Sequence, residues 1–406
     1  MSLLTGVARH LPGFVRSALR GARDRSTGYV DRALDKRPGL KAALLRRLRP
    51  GDAVILRSLC GGSPWCLDSV TVSEGRLVVR GWALDLAGGG EPNLRVGGIE
   101  FESQTWALRR RDIEDLFWFV PGAGSSGFIS SIPVADLPAP PWEVSRAASG
   151  GGPASDPDRS YHWDPDAGAG LPLPPAELRA RVHGSPDADS FLLEGFTTHV
   201  KLQRAIEREC GRRPDEFRSI LDWGCGCGRT TRFLAGSGAA ITGVDIDEVN
   251  IAWSRDNLPF ARFQTIPTAP PTDLPAEGYD LLVGISVFSH LDEAAQEVWL
   301  AELRRLAAPN AVLAMSVHGS QSLARSGIKH RALRDWLKNG FFDLGANPDQ
   351  GATAGREGEY RDVGQSSRHI RANWSRHFEI ITIVEGCIGN HQDLVLMKPR
   401  PRAPGA

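Results

Sequence analysis

The chain has 406 residues, and its 48 basic and 48 acidic side chains give a formal net charge of zero at neutral pH. This balance argues against a chain-wide electrostatic attraction to nucleic acid, and no apolar run approaches the roughly 18 residues of a transmembrane helix. Six cysteines are too few for a disulfide scaffold and complete no zinc-binding set with histidine. The sequence therefore predicts a cytoplasmic globular protein without a metal, built from two or three domains.

The N-terminal segment, residues 1–50, differs in charge from the remainder of the chain. It contains 12 Lys and Arg but only three Asp, a net charge of +9. Apolar residues such as Leu11 and Phe14, and later Leu40 and Leu44, recur at helical spacing, which predicts one or two basic amphipathic helices. Two roles match this pattern: docking on the neighbouring domain, or peripheral attachment to the anionic inner face of a membrane or to a protein partner.

Residues 51–137 show the pattern of a small antiparallel, all-β domain. Short alternating runs lie around Val70, Leu77–Trp82 and Leu94–Ile99, and turns rich in Gly, Pro and Asn separate them. The following stretch, residues 138–170, is rich in Pro, Gly, Ala, Ser and Asp. It predicts a linker and a domain boundary.

Three short motifs in the β-domain resemble a known type of module. They are Gly81–Asp85, Arg111–Ile113 and Ser126–Phe128, and they are similar to motifs of the β-sandwich modules attached to bacterial glycosyltransferases and glycan-modifying enzymes. The resemblance implies an accessory role for this domain. The alternative is that the aromatic residues of these motifs are only part of the domain core.

Strands and helices alternate over residues 171–400. Predicted strands cover 218–222, 240–245, 279–285 and 312–317, and predicted helices cover 229–234, 248–257 and 293–306. This alternation requires a parallel sheet with helices on both faces. Two further strands, 378–384 and 393–397, have a short connection and predict an antiparallel pair that closes the sheet. The predicted fold class is therefore α/β.

The strongest local signal is the loop Gly224-Cys225-Gly226-Cys227-Gly228, which follows a strand ending at Asp222. Its glycines allow a sharp turn and a close approach of the backbone to a ligand. The next strand ends at Asp245, followed by Ile246, where a carboxylate can accept hydrogen bonds from both ribose hydroxyls. A nicotinamide or flavin dinucleotide fold needs G-x-G-x-x-G, but Arg229 occupies the position of the last glycine.

The G-x-G-x-G spacing resembles that of class I S-adenosylmethionine-dependent methyltransferases, and the likeness extends over roughly residues 172–399. It implies a Rossmann-like seven-stranded domain, S-adenosylmethionine as cofactor and methyl transfer as activity. By the same resemblance, Asp222 engages the methionine end of the cofactor, and Ser286 lies in the loop after the fourth strand. Gln264 stands where the family has an acidic residue that contacts adenine.

A narrower resemblance concerns a bacterial methyltransferase subgroup linked to polysaccharide or glycosyl transfer. Its motifs are Leu171–Pro175, Val182–Ser185 and Gly389–Asp393. It implies a sugar, glycan intermediate or other small molecule as acceptor, and a helix near Phe191–Thr198 as a lid over the cofactor. The alternative for that helix is that it only covers the edge of the sheet.

Methylation of a hydroxyl requires alignment of the acceptor and removal of a proton. The predicted bases are His290, after the fourth strand, and His318, after the fifth, because ligands bind at the carboxyl ends of parallel strands. Either histidine has a purely structural role as its alternative. The long insertion between His318 and Phe378, which contains Arg361, is expected to carry specificity. Two other functions stay open: a non-catalytic cofactor-binding interaction module, and a dinucleotide-dependent oxidoreductase.

Overall fold

The computed structural model describes residues 38–86, 90–147, 157–326, 330–346 and 361–400. Most of the predicted basic helical segment, residues 1–37, lies outside these ranges, as do residues 347–360 of the insertion. Among the described residues, no helix combines the length and the apolar character needed to cross a membrane.

The elements follow one another along the chain in two sets. The first set contains α1 (Pro38–Leu48), α2 (Pro50–Leu59), β1 (Trp65–Ser73), β2 (Arg76–Ala83), β3 (Leu94–Val96), β4 (Ile99–Glu100), β5 (Ser103–Leu108), α3 (Arg111–Leu116), β6 (Gly127–Pro133), β7 (Trp142–Arg146) and β8 (Tyr161–Trp163). The second contains α4 (Ala176–His183), α5 (Ala188–Cys210), β9 (Ser219–Trp223), β10 (Ala240–Asp245), α6 (Glu248–Asn257), β11 (Arg262–Thr265), β12 (Tyr279–Gly284), α7 (Glu293–Leu306), β13 (Ala307–His318), α8 (Ser320–Arg325), α9 (His330–Asn339), β14 (Phe341–Ala346), β15 (Arg361–Gln365), α10 (Ser367–Asn373), β16 (Phe378–Ile388) and β17 (Gln392–Pro399).

A seven-stranded sheet with the order β11-β10-β9-β12-β13-β17-β16 forms the centre of the second set. The strands from β11 to β13 are parallel, and β17 pairs antiparallel with both β13 and β16. This confirms the predicted α/β sheet and its closing antiparallel pair. Strand order reverses at β9, between β10 and β12, which is the position where open α/β sheets bind ligands at their carboxyl edge.

The helices of this sheet begin at acidic caps and pack apolar side chains against the strands. Asp247 accepts a hydrogen bond from the backbone N–H of Val249 at the start of α6, and Asp292 accepts one from Ala295 at the start of α7. Trp299 on α7 packs against Trp223 with ring centroids 5.0 Å apart. These contacts fix both helices beside the carboxyl ends of β9, β10 and β12.

Two four-stranded antiparallel sheets form most of the first set, with the orders β1-β2-β6-β5 and β4-β3-β7-β8. Strands β7 and β8 lie within residues 138–170, so the prediction that this whole stretch is a linker is wrong. The Pro- and Gly-rich composition of residues 138–170 gives no signal for these two short strands. The predicted helix over residues 229–234 is also wrong, because only a short 3₁₀ turn, Thr231–Leu234, forms there.

Two hydrophobic clusters, here called the interface clusters, join the two sets of elements. In one cluster Trp82 and Phe117 of the first set lie with Leu323 and Trp336 of the second. In the other, Leu193 of α5 is buried among side chains of both antiparallel sheets. The two parts of the chain therefore share apolar cores rather than meeting through polar surfaces.

Candidate cofactor and acceptor site

A cavity of about 450 Å³ opens at the carboxyl ends of β9, β10 and β12. Its walls include eight of the residues singled out in the sequence: Asp222, Gly224, Cys225, Gly226, Asp245, Ile246, Ser286 and His290. The volume falls within the range of pockets that enclose small ligands or cofactors. The glycine loop and the predicted base therefore face the same space.

The glycine loop turns directly above the end of β9. The backbone N–H groups of Gly224 and Cys225 both donate to the carbonyl of Val244, at 2.8 and 3.0 Å. Gly226 has a φ of +54°, and a Cβ atom there would lie 2.7 Å from a methyl group of Val182 on α4. A left-handed backbone in so tight a space requires glycine, so the loop surface facing the cavity consists mainly of backbone.

Asp245 shapes the loop as well as lining the cavity. Its Oδ2 accepts the N–H of Gly226 at 2.8 Å, and its Oδ1 accepts the N–H of Asp247 at 2.9 Å. Burial raises the pKa of this carboxyl group, while the two backbone hydrogen bonds oppose the shift. The carboxylate is thus anchored at the point where sequence reasoning expected contact with a ribose.

Asp222 lies beneath the loop and is 4% exposed. Burial raises its pKa to about 6; the hydroxyl of Thr231, which donates to Oδ2, opposes this shift, and nearby Asp245 adds to it. The charge of Arg229 also opposes the shift, and a cationic ligand group would favour the charged form of Asp222 further.

Pairs of charged side chains border the cavity on the side of α4. Arg181 donates from Nε to Asp247 at 3.0 Å, and Arg229 pairs with Glu194 at 3.0 Å. Glu194 also contacts Nδ1 of His183 at 2.7 Å. The lid prediction for residues 191–198 is wrong, because this part of α5 packs inside the protein and α4 contributes the cavity wall.

His290 also lines the cavity, in a 3₁₀ turn after β12. Its Nδ1 is 2.8 Å from the carbonyl oxygen of Arg361, an acceptor, so Nδ1 carries the proton and Nε2 is the basic nitrogen of the neutral ring. Burial lowers the pKa of this imidazole, and the Arg361 carbonyl and Asp362 oppose the shift. A neutral imidazole at neutral pH is the form that accepts a proton.

Three predicted site residues do not line this cavity. His318 lies behind His290, with ring centroids 6.4 Å apart, and burial lowers its pKa to about 3. Gly228 has a φ of +76° and supports the turn of the loop. Gln264 is exposed on the edge strand β11, and Ile266 and Thr268 form that part of the wall. Ile266 and Thr268 lie beyond the end of β11, where the alternation of side chains along a strand no longer predicts which residues face the cavity.

Sequence reasoning missed several residues of the wall, among them Asn250 and Trp299, whereas Arg361, in the insertion expected to carry specificity, does line it. Asn250 is almost fully buried, and its Oδ1 has no hydrogen-bond partner among the described residues. A ligand hydroxyl or amino group would satisfy this acceptor, so the wall suits a nucleoside. Arg361 belongs to the insertion, where it pairs with Asp343 at 2.7 Å. Its position follows from the β14–β15 pairing and from no local motif.

Comparison with known proteins agrees with this site. Residues 221–313 match the family model described as "Methyltransferase domain". A trans-aconitate 2-methyltransferase from Delftia acidovorans is 33% identical over 123 residues, which are 30% of this chain and 44% of that protein. The chain thus spans less than half the length of this curated relative. Residues 221–313, which contain the glycine loop, Asp245 and His290, thus match a methyltransferase domain.

Solved structures with the same type of domain also align with the chain. An S-adenosylmethionine-dependent methyltransferase from Methanosarcina mazei is 22% identical, with a TM-score of 0.35, over 45% of this chain and 93% of that one. The glycopeptide N-methyltransferase MtfA is 14% identical, with a TM-score of 0.35, over 50% of this chain and 90% of that one. The strand order of the seven-stranded sheet, with its antiparallel pair β17-β16, defines the fold.

Proposed function

We propose that the whole chain is an S-adenosylmethionine-dependent methyltransferase that methylates an oxygen of a sugar, a glycan intermediate or another small molecule. The observation that carries the proposal is a single cavity lined by two chemically different groups. The glycine loop and Asp245 line it together with the neutral imidazole of His290. A nucleoside cofactor and a hydroxyl acceptor are the ligands that this combination suits.

The cofactor, when bound, supplies a methyl group on a positively charged sulfur, which is an activated donor. In the proposed reaction Asp245 and the glycine loop would hold its nucleoside, and Asp222 would hold the cationic methionine end. The apolar walls around Ile266 and Trp299 would exclude water. Nε2 of His290 would accept the proton of the acceptor hydroxyl.

A glycan-related acceptor is supported by two resemblances of the sequence, one in the β-domain and one around Gly389–Asp393. Among the relatives, MtfA is named as acting on a glycopeptide nitrogen and the Delftia protein on trans-aconitate, so oxygen and nitrogen acceptors both belong in the test. The proposed role of the antiparallel sheets is that of an accessory β-sandwich module beside the catalytic part. Arg361 and its ion pair with Asp343 would then border the acceptor.

Isothermal titration calorimetry with S-adenosylhomocysteine and with NAD tests the cofactor. We expect binding of the former in the micromolar range and none of the latter. Transfer of a labelled methyl group to a panel of sugars, glycan lipids and small carboxylates then tests catalysis. Cofactor binding without transfer to any acceptor would favour the non-catalytic module, whereas binding of NAD alone would favour the oxidoreductase.

We further propose that the N-terminal end attaches the protein to an anionic membrane surface. Leu48 on α1 and Val54 on α2 are 40% and 70% exposed, and Arg47 and Arg57 are exposed beside them. Arg47 and Leu48 belong to residues 1–50, the segment with a net charge of +9, and Val54 and Arg57 follow it directly. Apolar residues flanked by arginines suit an interface with anionic lipids, where each basic residue contributes about 1 kcal/mol.

Sedimentation with vesicles tests the attachment. Binding to phosphatidylserine vesicles should fall as salt rises, should be absent with phosphatidylcholine, and should weaken when Leu48 and Val54 are both replaced by Ser. Residues 1–37 supply the second arm of the test, because their removal should abolish binding. Equal binding to phosphatidylserine and phosphatidylcholine vesicles would contradict the proposal. Salt-resistant binding to a protein would favour the partner alternative.

A further inference from the structure

A closed set of hydrogen bonds joins three side chains behind the cavity wall. The backbone N–H of Ser286 donates to Oγ of Ser316 at 2.7 Å, and that hydroxyl donates to Oε1 of Gln392, also at 2.7 Å. Nε2 of Gln392 donates back to Oγ of Ser286 at 2.9 Å. Ser316 is fully buried and Gln392 almost so. The set therefore connects the segment after β12 to β13, the adjacent strand, and to β17, the strand beyond it.

Ser286 adopts a backbone conformation that residues other than glycine rarely adopt. Its φ is +61°, in the left-handed region, where a residue other than glycine needs support from its surroundings. Both its backbone N–H and its hydroxyl are held by the hydrogen-bonded set. Release of either bond would let the backbone move toward a right-handed or extended conformation.

The segment that follows Ser286 forms a large part of the cavity wall. Val287 contacts the glycine loop so closely that a Cβ on Gly224 would collide with it. His290, the proposed base, lies three residues further along and lines the same cavity. A change of conformation at Ser286 would therefore displace both the contact with the cofactor loop and the imidazole.

We propose that Gln392, which does not line the cavity, is a positioning residue that holds Ser286 in its left-handed conformation. It thereby fixes the segment 286–290 against the glycine loop. The consequence for ligand binding rests on the proposed function, whereas the consequence for the segment itself does not. Sequence position gives no hint of this role, because more than 100 residues separate Gln392 from Ser286.

Asn390, two residues earlier in the same turn, provides a matched control. It is equally buried, and its side chain accepts a hydrogen bond from Lys201 at 2.7 Å and donates one to the carbonyl of Arg159 at 2.9 Å. Neither of these two hydrogen bonds involves Ser286. Because Asn390 has a φ of +57°, Asn390→Gly removes both bonds without backbone strain.

Hydrogen exchange followed by mass spectrometry measures the positioning directly. Gln392→Met preserves side-chain length and removes the three hydrogen bonds that Gln392 makes with Ser286 and Ser316. We expect exchange in peptides covering residues 286–291 to become about tenfold faster in this variant, and to stay unchanged in Asn390→Gly. Ser316→Ala breaks the same set with a smaller change in volume, so it should give the same acceleration and serves if Gln392→Met does not fold.

Calorimetry with S-adenosylhomocysteine measures the consequence for binding. Gln392→Met should weaken binding about tenfold, equivalent to about 1.4 kcal/mol. In a Ser286→Gly background the same substitution should have less than about a threefold effect, since glycine adopts a positive φ without support. Equal effects in both backgrounds would mean that Gln392 acts through general stability, which would overturn the proposal.

The two measurements separate this inference from the proposed function. If the wild-type protein binds no S-adenosylhomocysteine, the proposed function fails, and the exchange rates still decide the role of Gln392. If exchange over residues 286–291 is unchanged in both folded variants, Gln392→Met and Ser316→Ala, the positioning role is refuted whatever the protein binds.

Discussion

Asp222 combines deep burial with an ionisable group, and this combination sets a measurable trade between stability and ligand binding. Burial raises its pKa from 3.8 to about 6, a shift of about two pKa units. At about 1.4 kcal/mol per unit, ionisation of this group disfavours the folded, ligand-free protein by about 3 kcal/mol at pH 7. We therefore expect Asp222→Asn to be more stable than the wild type at neutral pH.

The pH dependence fixes the sign of this effect. Since the folded-state pKa is raised, the stability that the neutral carboxyl group provides is fully present below about pH 3.8 and is lost as the pH rises through about 6. The advantage of Asp222→Asn should thus be largest near pH 7, shrink at pH 5 and nearly vanish at pH 4. The amide oxygen can still accept the hydroxyl of Thr231, so the local geometry is retained.

Thermal unfolding of the ligand-free protein at several pH values is the assay. The variant should unfold several degrees higher at pH 7, and Asp256→Asn, at an exposed position on α6, should change nothing. Affinity for S-adenosylhomocysteine should move the opposite way, with a loss of about 1.5–3 kcal/mol, because a charge-assisted contact disappears. A variant that is less stable than the wild type at pH 7 would refute the reasoning.

Three further predictions follow from the cavity and the interface clusters. His290→Asn should lower kcat by about 10²–10⁴-fold with little change in cofactor affinity. Because burial lowers the pKa of His290, kcat/KM of the wild type should rise with pH through a value below 6.5 and then stay level. Asp245→Ala should weaken S-adenosylhomocysteine binding more than Asp245→Asn, since only alanine releases the backbone N–H groups of both Gly226 and Asp247, as paired calorimetric titrations would reveal. A fragment beginning at residue 171 should be insoluble or less stable unless co-expressed with residues 38–163, as tested by solubility and thermal unfolding.

Local patterns predicted the features of the fold that depend on neighbouring residues in the sequence. The strand before Asp222, the glycine loop and the strand ending at Asp245 follow from apolar runs and turn residues within about 30 positions. The structure gives the last of these strands the predicted bounds, Ala240–Asp245. Such features need no knowledge of long-range packing, because hydrophobic burial and turn geometry act within the segment.

Features set by packing were not accessible in this way. His290 and His318 follow adjacent strands and are both half-buried, and only the cavity distinguishes His290, which lines it, from His318, which does not. Gln264 occupied the expected sequence position, yet the strand ends at Thr265 and the wall is built by the residues beyond it. Alternation along a strand specifies two faces and stops giving information where the strand ends.

Helix α5 illustrates why the sequence predicted a domain boundary at residues 138–170 although the structure has shared cores. Its apolar positions have the helical spacing expected of a helix lying on one sheet, and periodicity reports that a residue is buried without naming its partner. Leu193 is buried among the antiparallel sheets, whereas Leu202 and Ile206 on the same helix pack with the seven-stranded sheet. A single helix thus contributes to both cores, so removal of the N-terminal sheets exposes one side of α5 beside the residues that hold Arg229 at the cavity. Loss of the accessory part should on this basis change the cofactor site through α5, even though no residue of the two N-terminal antiparallel sheets lines the cavity.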